Sequence, residues 1–239
     1  MVKILKENVE IPVDSGVSLK GTIYSKISSS LSKPFIINIS GIGEHRESNF
    51  VEYFSKHFAQ AGFQVLSYDH RAHGETIKQT GRNIVKNLTN IFSDITKVLT
   101  WMLNDQKHRL LDNRIALFGR SLAGAIILTR GFIDRRANIL ISLCARYDYH
   151  TYTGLKLSED IIHDISPKYH LKFHPDNNNR ILIAHCRDDD IIPFKNLLQI
   201  KEALHLSDEN TIIYDSGNHS FIGNKRDIFE KSIQFLKKI

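Results

Sequence analysis

Short runs of apolar residues, each followed by a helical pattern, restrict the fold of this chain more than any other feature. The runs cover residues 35–39, 115–118, 139–144 and 181–185, and apolar residues recur at helical spacing between them. Strands that are apolar along their whole length are buried on both faces, so this alternation predicts a parallel sheet covered by helices on both sides. Such a sheet binds its ligand at the carboxyl ends of the strands.

Two segments depart from this pattern. Residues 8–26 alternate apolar and polar side chains around a turn at residues 14–16, which predicts an N-terminal antiparallel β-hairpin, and residues 28–32 are expected to form a polar loop. Residues 146–179 contain no clear strand, and we expect them to form a small cap over the strand ends. The length predicts a single domain, 1–239, that includes this insertion.

Charge and composition limit the partners. The net charge is +6, but the 32 basic residues are scattered rather than clustered, which argues against nucleic acid. No run approaches the ~18 apolar residues of a membrane span, so no stable membrane insertion is expected. The first residues lack the apolar core of a secretory signal, and two cysteines fit a reducing compartment, so we predict a cytoplasmic protein. The oligomeric state is left open.

The segment Gly119-Arg120-Ser121-Leu122-Ala123-Gly124 joins a predicted strand to a predicted helix. A serine in this context lies on a sharp elbow, with its hydroxyl held above the edge of the sheet. The elbow requires small flanking residues because it brings the strand and the helix close together. Taken alone, the string is equally typical of an ordinary tight turn.

Two later loops carry the groups that a serine nucleophile needs. A serine hydroxyl becomes reactive when a histidine accepts its proton and a carboxylate orients that histidine. The turn Asp188-Asp189-Asp190 follows one predicted strand, and His219 follows the last one. Because all three loops follow strands, they project from the same edge of the sheet. The order serine, acid, histidine therefore predicts a catalytic triad at this edge.

With these residues in view, the chain resembles an α/β-hydrolase fold serine hydrolase, most closely the compact esterase and monoacylglycerol-lipase-like branch. Residues 40–45, Ser-Gly-Ile-Gly-Glu-His, are similar to that branch's oxyanion loop, with Ser40 replacing a histidine. Residues 68–75 resemble its Tyr-Asp-His-Arg-Gly-His-Gly-Glu segment, with Ala72 replacing a glycine. Residues 185–193 resemble its His-Gly-x-x-Asp-x-Val-Val-Pro stretch, with Cys186 replacing a glycine.

The resemblance implies a fold and a set of catalytic roles. The fold is a mostly parallel central sheet with an N-terminal antiparallel hairpin, helices on both faces and a short cap insertion. Ser121 is the nucleophile, His219 the base and Asp189 the acid, because the family's acid lies four residues after the histidine and four before the proline. The neighbouring Asp188 and Asp190 are then solvated turn residues. Asp148, which follows another strand, is the alternative acid.

The resemblance also implies an oxyanion hole made by the backbone N–H groups of Ile42 and Leu122. Their side chains would line the acyl pocket. In the predicted cap, three tyrosines are expected either to wall a substrate pocket or to pack a helix on the edge of the sheet; they are Tyr147, Tyr149 and Tyr152.

Two pairs of histidines have a spacing that suits a metal, namely His70 with His73 and His170 with His174. Neither pair has a convincing third ligand, so no metal site is predicted. His70 and His73 are expected to brace their loop by hydrogen bonds instead.

These observations predict a serine hydrolase that cleaves a small-molecule carboxylic ester through an acyl-enzyme, without a metal or an organic cofactor. An acyl thioesterase or a peptidase with the same triad is the alternative. A non-catalytic binding module is a further alternative, against which the intact serine, aspartate and histidine argue.

Overall fold

The apolar runs of the sequence form the centre of a sheet. A computed structural model describes residues 3–27 and 33–238, so the predicted loop at 28–32 lies outside the described residues, as do residues 1, 2 and 239. Ile36 and Ile37 are neighbours in one strand and are both buried, although successive side chains of a strand point to opposite faces. The sheet is therefore covered on both sides.

In the described ranges, eight strands form one sheet in the order β1-β2-β4-β3-β5-β6-β7-β8. The first hairpin and its pairing with β4 are antiparallel, and the remaining pairs are parallel, as predicted. The strands are β1 (Ile4–Asp14), β2 (Val17–Lys26), β3 (Phe35–Ile39), β4 (Val65–Tyr68), β5 (Ile115–Arg120), β6 (Ile139–Leu143), β7 (Ile181–Cys186) and β8 (Thr211–Tyr214).

Eight α-helices in the same part of the chain connect and cover the strands. They are α1 (Asn49–Gln60), α2 (Ile77–Thr80), α3 (Ile84–Asn104), α4 (Leu122–Ile126), α5 (Glu159–Ile165), α6 (Asn177–Arg180), α7 (Lys195–Leu204) and α8 (Lys225–Leu236). Helix α4 continues as a π-helical turn over Ile127–Gly131. Among residues 3–27 and 33–238, none of the helices combines the length and the apolar character that crossing a bilayer requires.

The core lies in two layers, one on each face of the sheet. One layer packs Ile37 and its face of the sheet against α3, α4 and α7, and the other packs Ile36 and the opposite face against α1 and α8. The helical spacing of apolar residues predicts that α3 starts at about residue 90, but the helix begins at Ile84. The Asn83 side chain accepts a hydrogen bond from the Lys86 amide at 2.9 Å and caps this earlier start.

The strand register brings the loops of interest together. Parallel pairing places Ile39 opposite Gly119, Arg120 opposite Leu143, and Cys186 opposite Tyr214. The loops that follow β3, β5, β7 and β8 therefore leave the sheet at neighbouring points of its carboxyl edge. Within the segment 146–179, the structure has short helical elements and no strand.

Candidate active site

Ser121 lies at the junction between β5 and α4 in a strained conformation, with φ 64° and ψ −121°. A non-glycine residue with positive φ is uncommon and is held there only by its surroundings. The Ser121 amide is fixed by a hydrogen bond to the Leu143 carbonyl oxygen at 2.9 Å. A Cβ atom on Gly119 would lie 2.5 Å from the Ala123 Cβ and 2.9 Å from the Ile39 oxygen, so only glycine fits at this position.

The same contacts explain why the elbow has alanine at position 123. The methyl group of Ala123 occupies the space that the missing side chain of Gly119 leaves. At Gly124, a Cβ atom would lie 2.9 Å from Ser142 Oγ and 3.0 Å from the Leu143 oxygen. The close approach of helix and sheet therefore requires glycine at 124 and accepts alanine at 123.

Asp189 and His219 are joined by a hydrogen bond. His219 Nδ1 donates to Asp189 Oδ2 at 2.8 Å, and both side chains are almost fully buried. The Asp189 carboxylate also accepts from the amides of Ile191 and Ile192 at 3.0 and 2.9 Å, and His185 Nε2 lies 3.1 Å from Oδ2. Burial alone would raise the pKa of Asp189, but the hydrogen bonds from His185 and His219 outweigh it and lower the pKa well below its ordinary value.

Arg120, the residue before Ser121, links the serine elbow to the loop of His219. The Arg120 Nη1 donates to the His219 carbonyl oxygen at 3.1 Å, so the residue before the serine contacts the loop of the histidine. Within residues 3–27 and 33–238, no hydrogen bond joins Ser121 Oγ to the His219 imidazole. Catalytic bonds of this kind often tighten only when substrate is bound.

The loop at residues 40–45 lies against Ser121. A Cβ atom on Gly41 would come within 3.5 Å of the Ser121 Cβ. The Gly41 amide donates to Glu44 Oε2 at 3.0 Å, which closes the loop on itself. In the described part of the chain, the amides of Ile42 and Leu122 donate to no other group, so both are available to a ligand.

The sequence predicts that His70 and His73 brace their own loop by hydrogen bonds, and in the structure they also brace the loop at residues 40–45. His70 Nε2 donates to the Ser40 carbonyl oxygen at 3.0 Å. Burial lowers the pKa of His70 to about 3, so its ring is neutral. His73 Nδ1 donates to the Arg71 oxygen at 2.8 Å, which leaves Nε2 to accept from the Gly43 amide at 3.0 Å. One tautomer of His73 satisfies both bonds.

Comparison with known proteins identifies the family. A family model described as "Serine aminopeptidase, S33" matches residues 32–180, which is more than half of the chain and includes Ser121. The chain belongs to this family. It is thus a serine hydrolase family member with the α/β-hydrolase fold. The matched range ends before Asp189 and His219.

A curated relative of this S33 family member is "Uncharacterized 31.7 kDa protein in traX-finO intergenic region" from Escherichia coli. It is 32% identical over 96 residues, which is 40% of this chain and 32% of the relative. The match therefore spans about a third of the relative's length.

Solved structures share the fold at low sequence identity. Est1E from Butyrivibrio proteoclasticus, solved with ferulic acid, has a TM-score of 0.72 at 18% identity over 96% of this chain and 98% of its own. The Pyrococcus furiosus esterase Pf2001 has 0.69 at 16% over 98% and 93%. A puromycin-hydrolyzing peptidase of Mycobacterium tuberculosis has 0.78 at 12% over 98% and 39%.

Asp188 has a role at the S33 site beyond that of the exposed turn residue that the sequence predicts. Asp188 is exposed but is not merely solvated, because its carboxylate accepts the Gly217 amide at 3.0 Å and the Asn218 amide at 2.8 Å. It thus holds the loop of His219, which the run of three aspartates did not reveal. Asp190 is exposed, as predicted.

The three tyrosines of the predicted pocket have different environments. Tyr149 is 7% exposed and packs edge-on against Phe92 in the core. Tyr152 lies beneath the Arg146 guanidinium at 5.1 Å. Tyr147 lines a surface cavity of about 460 Å³ with residues of α7. The lining of that cavity does not include Ser121.

Proposed function

We propose that this S33 family member hydrolyses carboxylic esters of small molecules, with Ser121 as nucleophile, His219 as base and Asp189 as the orienting acid. The observation that carries the proposal is the 2.8 Å hydrogen bond from His219 Nδ1 to Asp189 Oδ2 at the same sheet edge as the strained Ser121. Each residue comes from a different loop, which an ordinary structural turn does not require.

The first half of the proposed reaction forms an acyl-enzyme. Ser121 Oγ attacks the carbonyl carbon of the ester while its proton passes to Nε2 of His219. The Asp189 carboxylate accepts a hydrogen bond from the Nδ1–H group and so keeps the Nε2 lone pair towards the serine. Negative charge develops on the former carbonyl oxygen, and the amides of Ile42 and Leu122 donate to it. His219 then gives the proton to the leaving alcohol.

The second half repeats the same proton transfers with water. Water attacks the acyl carbon and gives a proton to His219, which returns it to Ser121 as the carboxylic acid leaves. The proton moves only between these groups and the substrate, so the proposal includes neither a metal nor an organic cofactor. The two free, buried cysteines, Cys144 and Cys186, agree with the proposed cytoplasmic compartment.

Two observations bear on the bond that is cleaved. This chain aligns with nearly the whole of the esterase Pf2001 and of Est1E, which was solved with ferulic acid, and this favours esters. The description of the family as an aminopeptidase and the likeness to a puromycin-hydrolyzing peptidase favour an amide as the second candidate. Acyl thioesters are a third substrate class open to the same triad.

The test is hydrolysis of p-nitrophenyl esters of increasing acyl length by the parent, Ser121→Ala and Ser93→Ala. Ser93 lies on α3 and serves as the matched control, so its variant is expected to equal the parent. Ser121→Ala is expected to lose turnover by a factor of about 10⁴ or more. Equal rates for the parent and Ser121→Ala would refute the mechanism. A higher kcat/KM for matched anilides or thioesters than for the esters would show that amides or thioesters are the preferred substrates instead.

We also propose that two of the cap tyrosines, Tyr147 and Tyr152, contact the substrate. Tyr147→Ala and Tyr152→Ala are expected to raise KM for aromatic esters more than for acetate esters. Tyr149→Ala removes a core side chain and is expected to lower stability by about 3–5 kcal/mol. An equal change in KM for both classes of ester would leave the tyrosines a structural role only.

A further inference from the structure

A second cluster of side chains, of the types that bind metal ions, lies in the segment 146–179. His150, Glu159 and His163 each place a ligand atom within 4.8 Å of the other two. His150 belongs to a 3₁₀ segment, Tyr149–Thr151, whereas Glu159 and His163 lie one turn apart on α5 and so share a helix face. All three residues are exposed to solvent.

A hydrogen bond to Asp148 fixes the orientation of the His150 ring. Its Nδ1 donates to Asp148 Oδ1 at 2.7 Å, and Asp148 is held in turn by Lys168 Nζ at 2.9 Å and the His150 amide at 3.0 Å. The other ring nitrogen, Nε2, lies 2.9 Å from Glu159 Oε2. A carboxylate that holds one imidazole nitrogen and directs the other outward is the usual support of a metal-binding histidine.

The third side chain is also held in place. The His163 ring stacks on the Tyr169 ring, with centroids 3.9 Å apart and planes inclined by 12°. Within residues 3–27 and 33–238, the His163 nitrogens have no hydrogen-bond partner. The ring is thus oriented by stacking while both nitrogens stay available to a ligand.

We propose that His150, Glu159 and His163 bind one Zn²⁺ ion. Two imidazoles and one carboxylate are a frequent set of three protein ligands for zinc, with water in the fourth position. Nitrogen ligands disfavour Mg²⁺ and Ca²⁺, which take oxygen ligands. The site contains none of the proposed catalytic residues and does not rest on the proposed function.

This site is absent from the sequence predictions, which considered only histidine pairs at short spacing. The spacing from His150 to Glu159 has no metal-binding signature, and the fold of the segment alone brings the 3₁₀ turn beside α5. A bound ion would join these two elements, so zinc is expected to stabilise the segment and raise the melting temperature.

The experiment uses the full chain without a histidine tag, stripped with chelator and desalted. Zinc binding is measured by calorimetry and by competition with a chromophoric chelator. The variants are His163→Ala, the isosteric Glu159→Gln and Asp148→Asn, with His108→Ala as the control because His108 is an exposed histidine of another segment. Circular dichroism without metal checks that each variant is folded.

The parent is expected to bind one Zn²⁺ per chain, and excess Ca²⁺ is expected not to displace it. Asp148→Asn is expected to weaken binding about 10- to 100-fold. His163→Ala and Glu159→Gln are expected to abolish the zinc-dependent rise in melting temperature, whereas His108→Ala leaves it unchanged. Failure of the parent to bind stoichiometrically, or equal binding by His163→Ala and His108→Ala, would overturn the proposal. Displacement by Ca²⁺ would do so too.

Discussion

Arg120 donates a hydrogen bond from Nη2 to Glu44 Oε1 at 2.6 Å, and this ion pair connects three loops. The other end of the guanidinium donates to the His219 oxygen and to Ser220 Oγ, both at 3.1 Å. The second carboxylate oxygen of Glu44 accepts the Gly41 amide. The elbow, the histidine loop and the proposed oxyanion loop therefore share one charged link.

Replacing Arg120 with methionine is expected to lower kcat about 100-fold on the best ester, because small displacements of catalytic groups are costly. The KM value is expected to change much less, since no substrate contact is removed. Steady-state kinetics check this, with Arg136→Met as the control because Arg136 pairs with Asp134 away from these loops. A loss of kcat no larger than that of the control would contradict the positioning role.

Asp188 offers a second test of how the histidine loop is held. Asp188→Ala removes the acceptor of the Gly217 and Asn218 amides and is expected to lower kcat about 10-fold, since one turn of loop is released. Asp190→Ala is the matched control, because Asp190 is an exposed carboxylate of the same turn. Identical kinetics for the two variants would show that the bonds of Asp188 do not position His219.

The hydrogen bonds of Asp189 predict a dependence of stability on pH. Its pKa is lower in the folded state than the ordinary value of about 3.9 in the unfolded chain. The resulting stabilisation is present above that value and is lost as the pH falls towards the folded pKa. Urea denaturation should therefore give the parent a steeper loss of unfolding free energy below about pH 4 than Asp189→Asn. Parallel curves would contradict this assignment.

Two glycines with positive φ allow the stability cost of backbone strain to be distinguished from the cost of steric crowding. Gly74 has φ 47°, and a Cβ atom there would lie 2.2 Å from Asp69 Oδ2, whereas Gly81 has φ 70° and open space. Gly81→Ala is expected to cost about 1–3 kcal/mol from backbone strain alone, because φ 70° with ψ −178° is a conformation that essentially only glycine adopts. Gly74→Ala should cost about 1–3 kcal/mol more, because the buried Asp69 must move. Chemical denaturation measures both, and equal losses would rule out the crowding.

The sheet was predictable because the sequence patterns that indicate its strands are short and local. Buried parallel strands are apolar along their whole length, and β3 begins and ends where the pattern predicts. Predictions of helix boundaries were less accurate where a single side chain sets the boundary, as Asn83 does at the start of α3. At the other end of the chain, the apolar spacing predicts a helix from about residue 221, but α8 begins at Lys225 because residues 220–223 form turns.

The supports of the candidate site were not predictable from the pattern. Ser121, Asp189 and His219 lie in motifs of recognisable spacing, and the Asp189–His219 contact needs only the strand order. Arg120 and Asp188 act across 99 and 29 residues of sequence, on backbone atoms that carry no residue-specific signal. Such bonds depend on loop geometry, which one sequence does not encode in any short repeat or spacing.

The distance along the chain from Ser121 to His219 has a consequence for biosynthesis. A ribosome adding about 5–20 residues per second needs roughly 5–20 s to extend the chain across this interval. Until β8 joins the edge of the sheet, Ser121 lacks its proposed base and remains an ordinary alcohol. The nascent chain is therefore expected to acquire its proposed nucleophile only after β8 and the following loop of His219 have joined the sheet.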